Sequence, residues 1–186
     1  MIYLGYSPGG CSRSMSKSGV AILTQYDDGP HYQTGTVACV DDAVQWYSDR
    51  LMGEVPRAIG IDAPLFWETS RGGWRAADKW LKVNYSEMKR SVISSNSIQG
   101  ALVIQGVALA ISLKRKWGGI ILTETSSKLL YHALTKDRYE WAERVINWPR
   151  EALGVKGDCI INSPNEWSAL LACWSSRMGH TQEAGA

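Results

Sequence analysis

Three carboxylates stand where the sequence pattern puts them within reach of chemistry. The run RAIGI, residues 57–61, reads as a short buried strand, and the Asp62-Ala63-Pro64 that follows ends it, because proline forbids its continuation. Asp62 therefore sits at a strand tip, either as a metal ligand or general base, or as a turn cap that binds the following backbone. Glu124 closes a second strand, GIILTE, as a ligand or as an acid that complements the dipole of the helix starting in the serines after it. Asp78 lies in a helical stretch, Arg71 to Tyr85, with Arg75 three residues before it and Lys82 four after, so an intrahelical ion pair competes with a catalytic role. On the same stretch Arg71, Arg75, Lys79 and Lys82 share one face. With Arg13 and Lys17 in the first loop and LKRK at 113–116, they form either a phosphate-holding surface or a solvated one.

Other chemistries find less support. Cys11, Cys39, Cys159 and Cys173 share no short spacing, nor do His31, His132 and His180, so neither a zinc knuckle nor a disulfide framework is visible. The cysteines read as reduced and the compartment as cytoplasmic. The stretch CSRSMSKS lacks the glycines of a phosphate loop and leads into a strand, and no Gly-x-Ser-x-Gly motif supports Ser7 with a histidine as a nucleophile pair. The balance of 20 Lys and Arg against 18 Asp and Glu gives only +2, so any basic surface is local.

The elements that must position these groups follow from periodicity. With 186 residues, 45% of them hydrophobic, the chain has the size and apolar content of one domain, read as residues 1–178 followed by a flexible tail at 179–186. Strands at Ile2–Tyr6, Gly19–Tyr26 and from His31 make an antiparallel meander, and a helix starts near Asp41. The run GALVIQGVALAISL, residues 100–113, is too short for a membrane span and reads as a buried helix. The nine tryptophans, Trp46, Trp80, Trp141 and Trp167 among them, read chiefly as core filling, with room for a buried interface to a protein partner or a second copy. Ser163-Pro164-Asn165-Glu166 is a capping box that opens the last helix. The N-terminus shows no secretory pattern, and no membrane association is expected.

The order of these elements and their motifs resembles the domain-of-unknown-function 429 family of predicted nucleases. The matching segments are LGYSPGG, SGVAIL, GIDAPL, RAADKWLK, LTETSSK and NEWSALLACWSS, from Met1 to about Arg177. The resemblance implies an α/β, ribonuclease H-like fold, a mixed sheet of an antiparallel three-strand meander plus parallel strands, flanked by helices. It implies divalent-metal-dependent phosphodiester hydrolysis on nucleic acid with Mg2+ or Mn2+, Asp62 and Glu124 as metal ligands and Asp78 as the helix acid. Ser7 and Ser168 then stand where the family carries aspartates, which removes two negative charges and raises the alternative of a catalytically degenerate module that binds nucleic acid or a protein partner.

Overall fold

The structure, a computed structural model, describes residues 1–9, 17–69, 72–94, 96, 100–138, 153 and 159–183. Strands β1 (Ile2–Ser7), β2 (Ser18–Tyr26) and β3 (Gly29–Val37) form the antiparallel meander. Strands β4 (Ala58–Ile61) and β5 (Ile121–Glu124) extend it in parallel, giving the order β3-β2-β1-β4-β5. The helices are α1 (Val40–Leu51), α2 (Ala76–Asn84), α3 (Gly100–Lys116), α4 (Ser127–Thr135) and α5 (Pro164–Glu183), with a 3-10 turn at Ser86–Ser91 after α2.

The helix starts are set by short polar contacts. α1 begins at Val40, one residue before Asp41, because Cys39 Sγ accepts the Asp42 N–H at 3.4 Å and takes the capping position. α2 begins at Ala76 rather than Arg71, since Arg75 is extended and Asp78 reaches back to accept its N–H at 3.0 Å. α5 opens as expected, with Ser163 Oγ accepting the Glu166 N–H at 3.1 Å, while the Glu166 carboxylate turns to the Asn162 N–H and the Thr34 hydroxyl. It runs on to Glu183, so 179–183, expected in a tail, are helical.

Strand alternation sends successive side chains to opposite faces. Ile2, Leu4 and Tyr6 of β1 join Ile59 and Ile61 of β4 in one core layer with Tyr47 of α1 and Leu109 and Leu113 of α3. On the other face Tyr3, Ala21, Leu23 and Ala58 meet Trp167, Leu170 and Cys173 of α5. Trp167 is core on the α5 face and Trp46 packs against the core layer on the other face, whereas Trp80 is 58% exposed, so the expected core role fails there; Trp141 lies outside the described residues.

The α5 face of the sheet is floored by glycine. A Cβ at Gly5 would overlap the Ala169 carbonyl oxygen, one at Gly19 the Asn165 carbonyl and one at Gly60 the Ala172 carbonyl. In each case the obstacle is helix backbone, which cannot rotate away as a side chain would. Gly5 and Gly60 are direct partners in the β1–β4 ladder, so the floor is continuous across strands. Gly60→Ala should therefore destabilise the fold by about 3 kcal/mol, at the upper end of overpacking effects, measured by urea denaturation against Gly53→Ala, where a Cβ meets nothing but the backbone has φ 93°. An effect at Gly60 no larger than that at Gly53 would show that α5 is free to lift from the sheet.

Candidate functional site

Ladder register determines which acids can meet. Gly5 pairs with Gly60 and Tyr6 with Ile61, so Ser7 and Asp62 come next along adjacent parallel strands, both directed to the α5 face. Ser7 Oγ donates to Asp62 Oδ2 at 3.3 Å. From the start of α4, Ser127 donates twice: its N–H to Asp62 Oδ1 at 2.8 Å and its hydroxyl to Asp62 Oδ2 at 2.7 Å. Ser168 of α5 lies 3.0 Å from the Ser127 hydroxyl.

Ser7, Asp62 and Ser168, named from three distant parts of the sequence, thus converge, joined by a fourth residue that sequence reasoning missed. Ser127 carried a weak signal only, as one of two serines between a strand and a helix. Its N–H is an orphan donor of the α4 terminus, so Asp62 caps that helix from another strand, a longer-range form of the capping role weighed for it.

Glu124 goes elsewhere. It pairs in register with Ile61, whose side chain lies in the α1–α3 core layer, and Leu122 two residues earlier packs on that same layer. Alternation therefore directs Glu124 to the face opposite Asp62. There it accepts the Leu65 N–H and the Arg75 guanidinium, with Nη1 at 2.5 Å from Oε1 and 2.7 Å from Oε2. The rest of that guanidinium grips Asp78, Nε at 2.9 Å from Oδ2 and Nη2 at 2.7 Å from Oδ1. Arg75, expected to face phosphates, is turned inward between two carboxylates.

Among the other expected phosphate contacts, Lys82 places its Nζ 3.0 Å from the centre of the Trp74 ring, while Lys79 and Lys17 are exposed. Arg13 and Arg71 lie outside the described residues.

A cleft of roughly 220 Å³ runs between α2, α4 and the strand ends, lined by Asp62, Arg75, Asp78, Glu124, Thr125 and Leu129 among others. The Thr125 hydroxyl is buried there without a hydrogen-bond partner. The donor set does not suit a pair of divalent cations. Hard cations need several carboxylates converging on one point, and here one acid is surrounded by neutral hydroxyls while two others are neutralised by a guanidinium. Among the described residues no group of three or more His, Cys, Asp and Glu is placed to hold a metal ion. Asp62 and Glu124 line this cleft from opposite faces of the sheet, and each carboxylate is held by its own partners, Ser7 and Ser127 for Asp62 and Arg75 for Glu124.

Comparison with known proteins bears on the fold. The chain shares its architecture with T. thermophilus RuvC in complex with Holliday junction substrate, at a TM-score of 0.55 and 12% identity over 98% of this chain and 96% of that one. The fold is ribonuclease H-like. No family model and no curated protein matches the sequence. Among the described residues no helix is long and apolar enough to cross a membrane.

Two consequences are measurable. Asp78 is nearly inaccessible, with 2% of its side chain exposed, so Arg75→Ala leaves a buried carboxylate without its counter-ion. The loss should be about 3 kcal/mol in chemical denaturation, and Asp78→Asn added to Arg75→Ala should recover part of it. A neutral Arg75→Ala would mean that the pair is solvated.

Asp62 keeps some residue surface exposed, but its carboxyl group is closely surrounded by protein atoms. Burial pushes its pKa up against the opposing pull of the Ser127 and Ser7 hydrogen bonds and the Lys128 charge. A raised folded-state value means the native protein binds this proton more tightly than the unfolded chain. The contribution is thus fully present below the unfolded value and lost as pH rises through the folded one. The stability advantage of wild type over Asp62→Asn should fall as pH rises above the ordinary carboxylate range, read in thermal melts across a pH series. A difference that grows with pH would place the carboxyl below its ordinary value.

Proposed function

We propose that this chain is a nuclease-type protein that acts on nucleic acid at the cleft beside Asp62. The observation that carries the reading is the placement of Asp62 at the carboxyl end of β4, between the β1 tip and α5, where open α/β sheets bind ligands. The likeness to a nucleic-acid-bound neighbour, solved on a Holliday junction, supports the same class of ligand. The convergence of Ser7 and Ser168 on Asp62 supports the finer reading, a relative of the domain-of-unknown-function 429 family with serine at two acidic positions.

In this reading Asp62 is the reactive carboxylate, oriented by three donors. Hydrolysis assisted by Mg2+ or Mn2+ would need carboxylates beyond Asp62, and Glu124 and Asp78 are committed to Arg75. That commitment favours a second reading: a catalytically degenerate module that binds nucleic acid, or a protein partner, without cutting it.

The two separate in one experiment. End-labelled single-stranded, duplex and four-way-junction oligonucleotides are incubated with wild type and Asp62→Asn in Mg2+, Mn2+ or EDTA. The nuclease reading expects cleavage that drops by about 100-fold or more in the variant. Cleavage untouched by the substitution would remove Asp62 from the chemistry. Binding that is equal in EDTA, weakens steeply with salt and leads to no product would select the binding module.

A further inference from the structure

The cleft beside Asp62 has two walls of different kinds. One belongs to the sheet and the start of α4, with Asp62, Glu124 and Thr125. The other, with Arg75, Asp78 and Val92, is built by a single excursion of the chain, residues 73–94, that holds α2 and the 3-10 turn. The two ends of this excursion meet. The Ser94 hydroxyl donates to the Gly73 carbonyl at 2.6 Å, and just beyond it Asn96 Nδ2 donates to the Glu68 carbonyl at 2.5 Å. Gly72 and Gly73 lead into it at φ 94° and 63°, a left-handed path that glycine takes at no steric cost. A segment joined at its base can turn about that base as one body.

The excursion is lightly attached to the rest of the protein. Among the described residues, none of it joins either core layer of the sheet. Met88 and Val92 instead form a small cluster with Leu129 of α4, flanked by the segment's own Trp74, Leu81 and Tyr85. Beside that cluster Glu87 Oε2 stands 3.6 Å from His132 Nε2, beyond hydrogen-bond length, so packing does the holding there. Across the cleft Arg75 Nη1 binds Glu124. The same guanidinium is bound to Asp78 within the segment, so letting go of Glu124 leaves the arginine paired. A unit with few buried contacts to its surroundings opens at a lower free energy than the whole protein unfolds.

We infer that residues 73–94 are a lid over the Asp62 cleft, closed in this structure, which lifts on its paired ends as Met88 and Val92 leave Leu129 and Arg75 leaves Glu124. Volume requires such a movement. The closed cleft, roughly 220 Å³, is smaller than the roughly 300–1,000 Å³ of pockets that hold a single small ligand, and a nucleic-acid strand needs more. Lys79, Lys89 and Arg90 are exposed on the lid, so a polyanion meets positive charge there before it reaches the carboxylates beneath. That the ligand is nucleic acid rests on the function proposed above; that the segment lifts does not.

Thr125, whose hydroxyl is buried at the seam, gives the test its reporter. Thr125→Cys is pulse-labelled with fluorescein maleimide, a reagent too bulky for the closed cleft, and each thiol is read by mass spectrometry along a series of low urea concentrations. Exposed Cys39 and fully buried Cys173 supply the limits of free access and of access by global unfolding. The thiol introduced at 125 should label more slowly than Cys39 and faster than Cys173. Its rate should rise far less steeply with urea than that of Cys173, because lifting a lid exposes less surface than unfolding the chain. Met88→Ala should speed it by about tenfold or more. In hydrogen exchange of the chain without the introduced thiol, α2 and the 3-10 turn should exchange together, about tenfold faster in Glu124→Gln. Labelling at 125 that shares the urea dependence of Cys173, or that equals Cys39 from the start, would overturn the lid. Labelling indifferent to Met88→Ala would overturn its docking on α4, and exchange unchanged in Glu124→Gln would overturn the part given to Arg75. None of these measurements uses nucleic acid, so a chain that neither cuts nor binds an oligonucleotide would still show whether the lid lifts.

Discussion

The structure depends on how closely α5 lies against the sheet. Three carbonyls of one helix face rest over Gly19, Gly5 and Gly60 on three adjacent strands, at a distance that excludes even a methyl group. Interiors are packed too tightly to absorb such an overlap, so small residues on that face of the sheet are a condition of the fold rather than a preference. The benefit is positional. With the helix backbone on the sheet, Ser168 reaches the Ser127 hydroxyl, and through it the Asp62 carboxylate at the strand tip. A helix held off by one layer of side chains would leave these groups apart.

The pleat then divides the acids. The glycines, Ser7 and Asp62 occupy alternate positions and share the α5 face, while Glu124 follows Ile61 to the other. In the cleft, the Arg75 guanidinium supplies positive charge to buried Asp78 and half-buried Glu124, and it does so with a planar fork suited to bidentate pairing. The site is thus electrostatically settled by its own chain. What lies outside the Arg75 pairs is the Asp62 carboxylate, held by hydrogen bonds from hydroxyls and a backbone N–H.

α3 shows the complementary situation. Its inner face is satisfied by the sheet, and its outer face is as apolar as an inner one, so local sequence cannot tell which side is the interior. Apolar content alone predicted a buried helix, because periodicity loses its contrast when both faces are hydrophobic. Gly106, against Ala63 and Ile61, marks the side that faces the protein. The far side is left to whatever covers it.

By itself the sequence determined the five strands, the meander and the principal helices, since alternation, apolar runs, the Ser163 cap and Pro64 are local signals that tertiary context rarely reverses. Its family resemblance also implied that Ser7, Asp62 and Ser168 lie together, and hydrogen bonds through Ser127 link them. The partners of each charge were decided only by the tertiary structure. Arg75 lies three residues from Asp78, so that ion pair was legible, but its bond to Glu124 spans 49 residues and depends on how β5 is registered against β4. Ser127 reaches Asp62 across 65 residues for the same reason. Side-chain period decides which face a residue takes within its own element, whereas the distance between two elements is set by how closely their backbones can approach, and here that depends on Gly5 and Gly60 meeting the backbone of α5, a helix from the far end of the sequence.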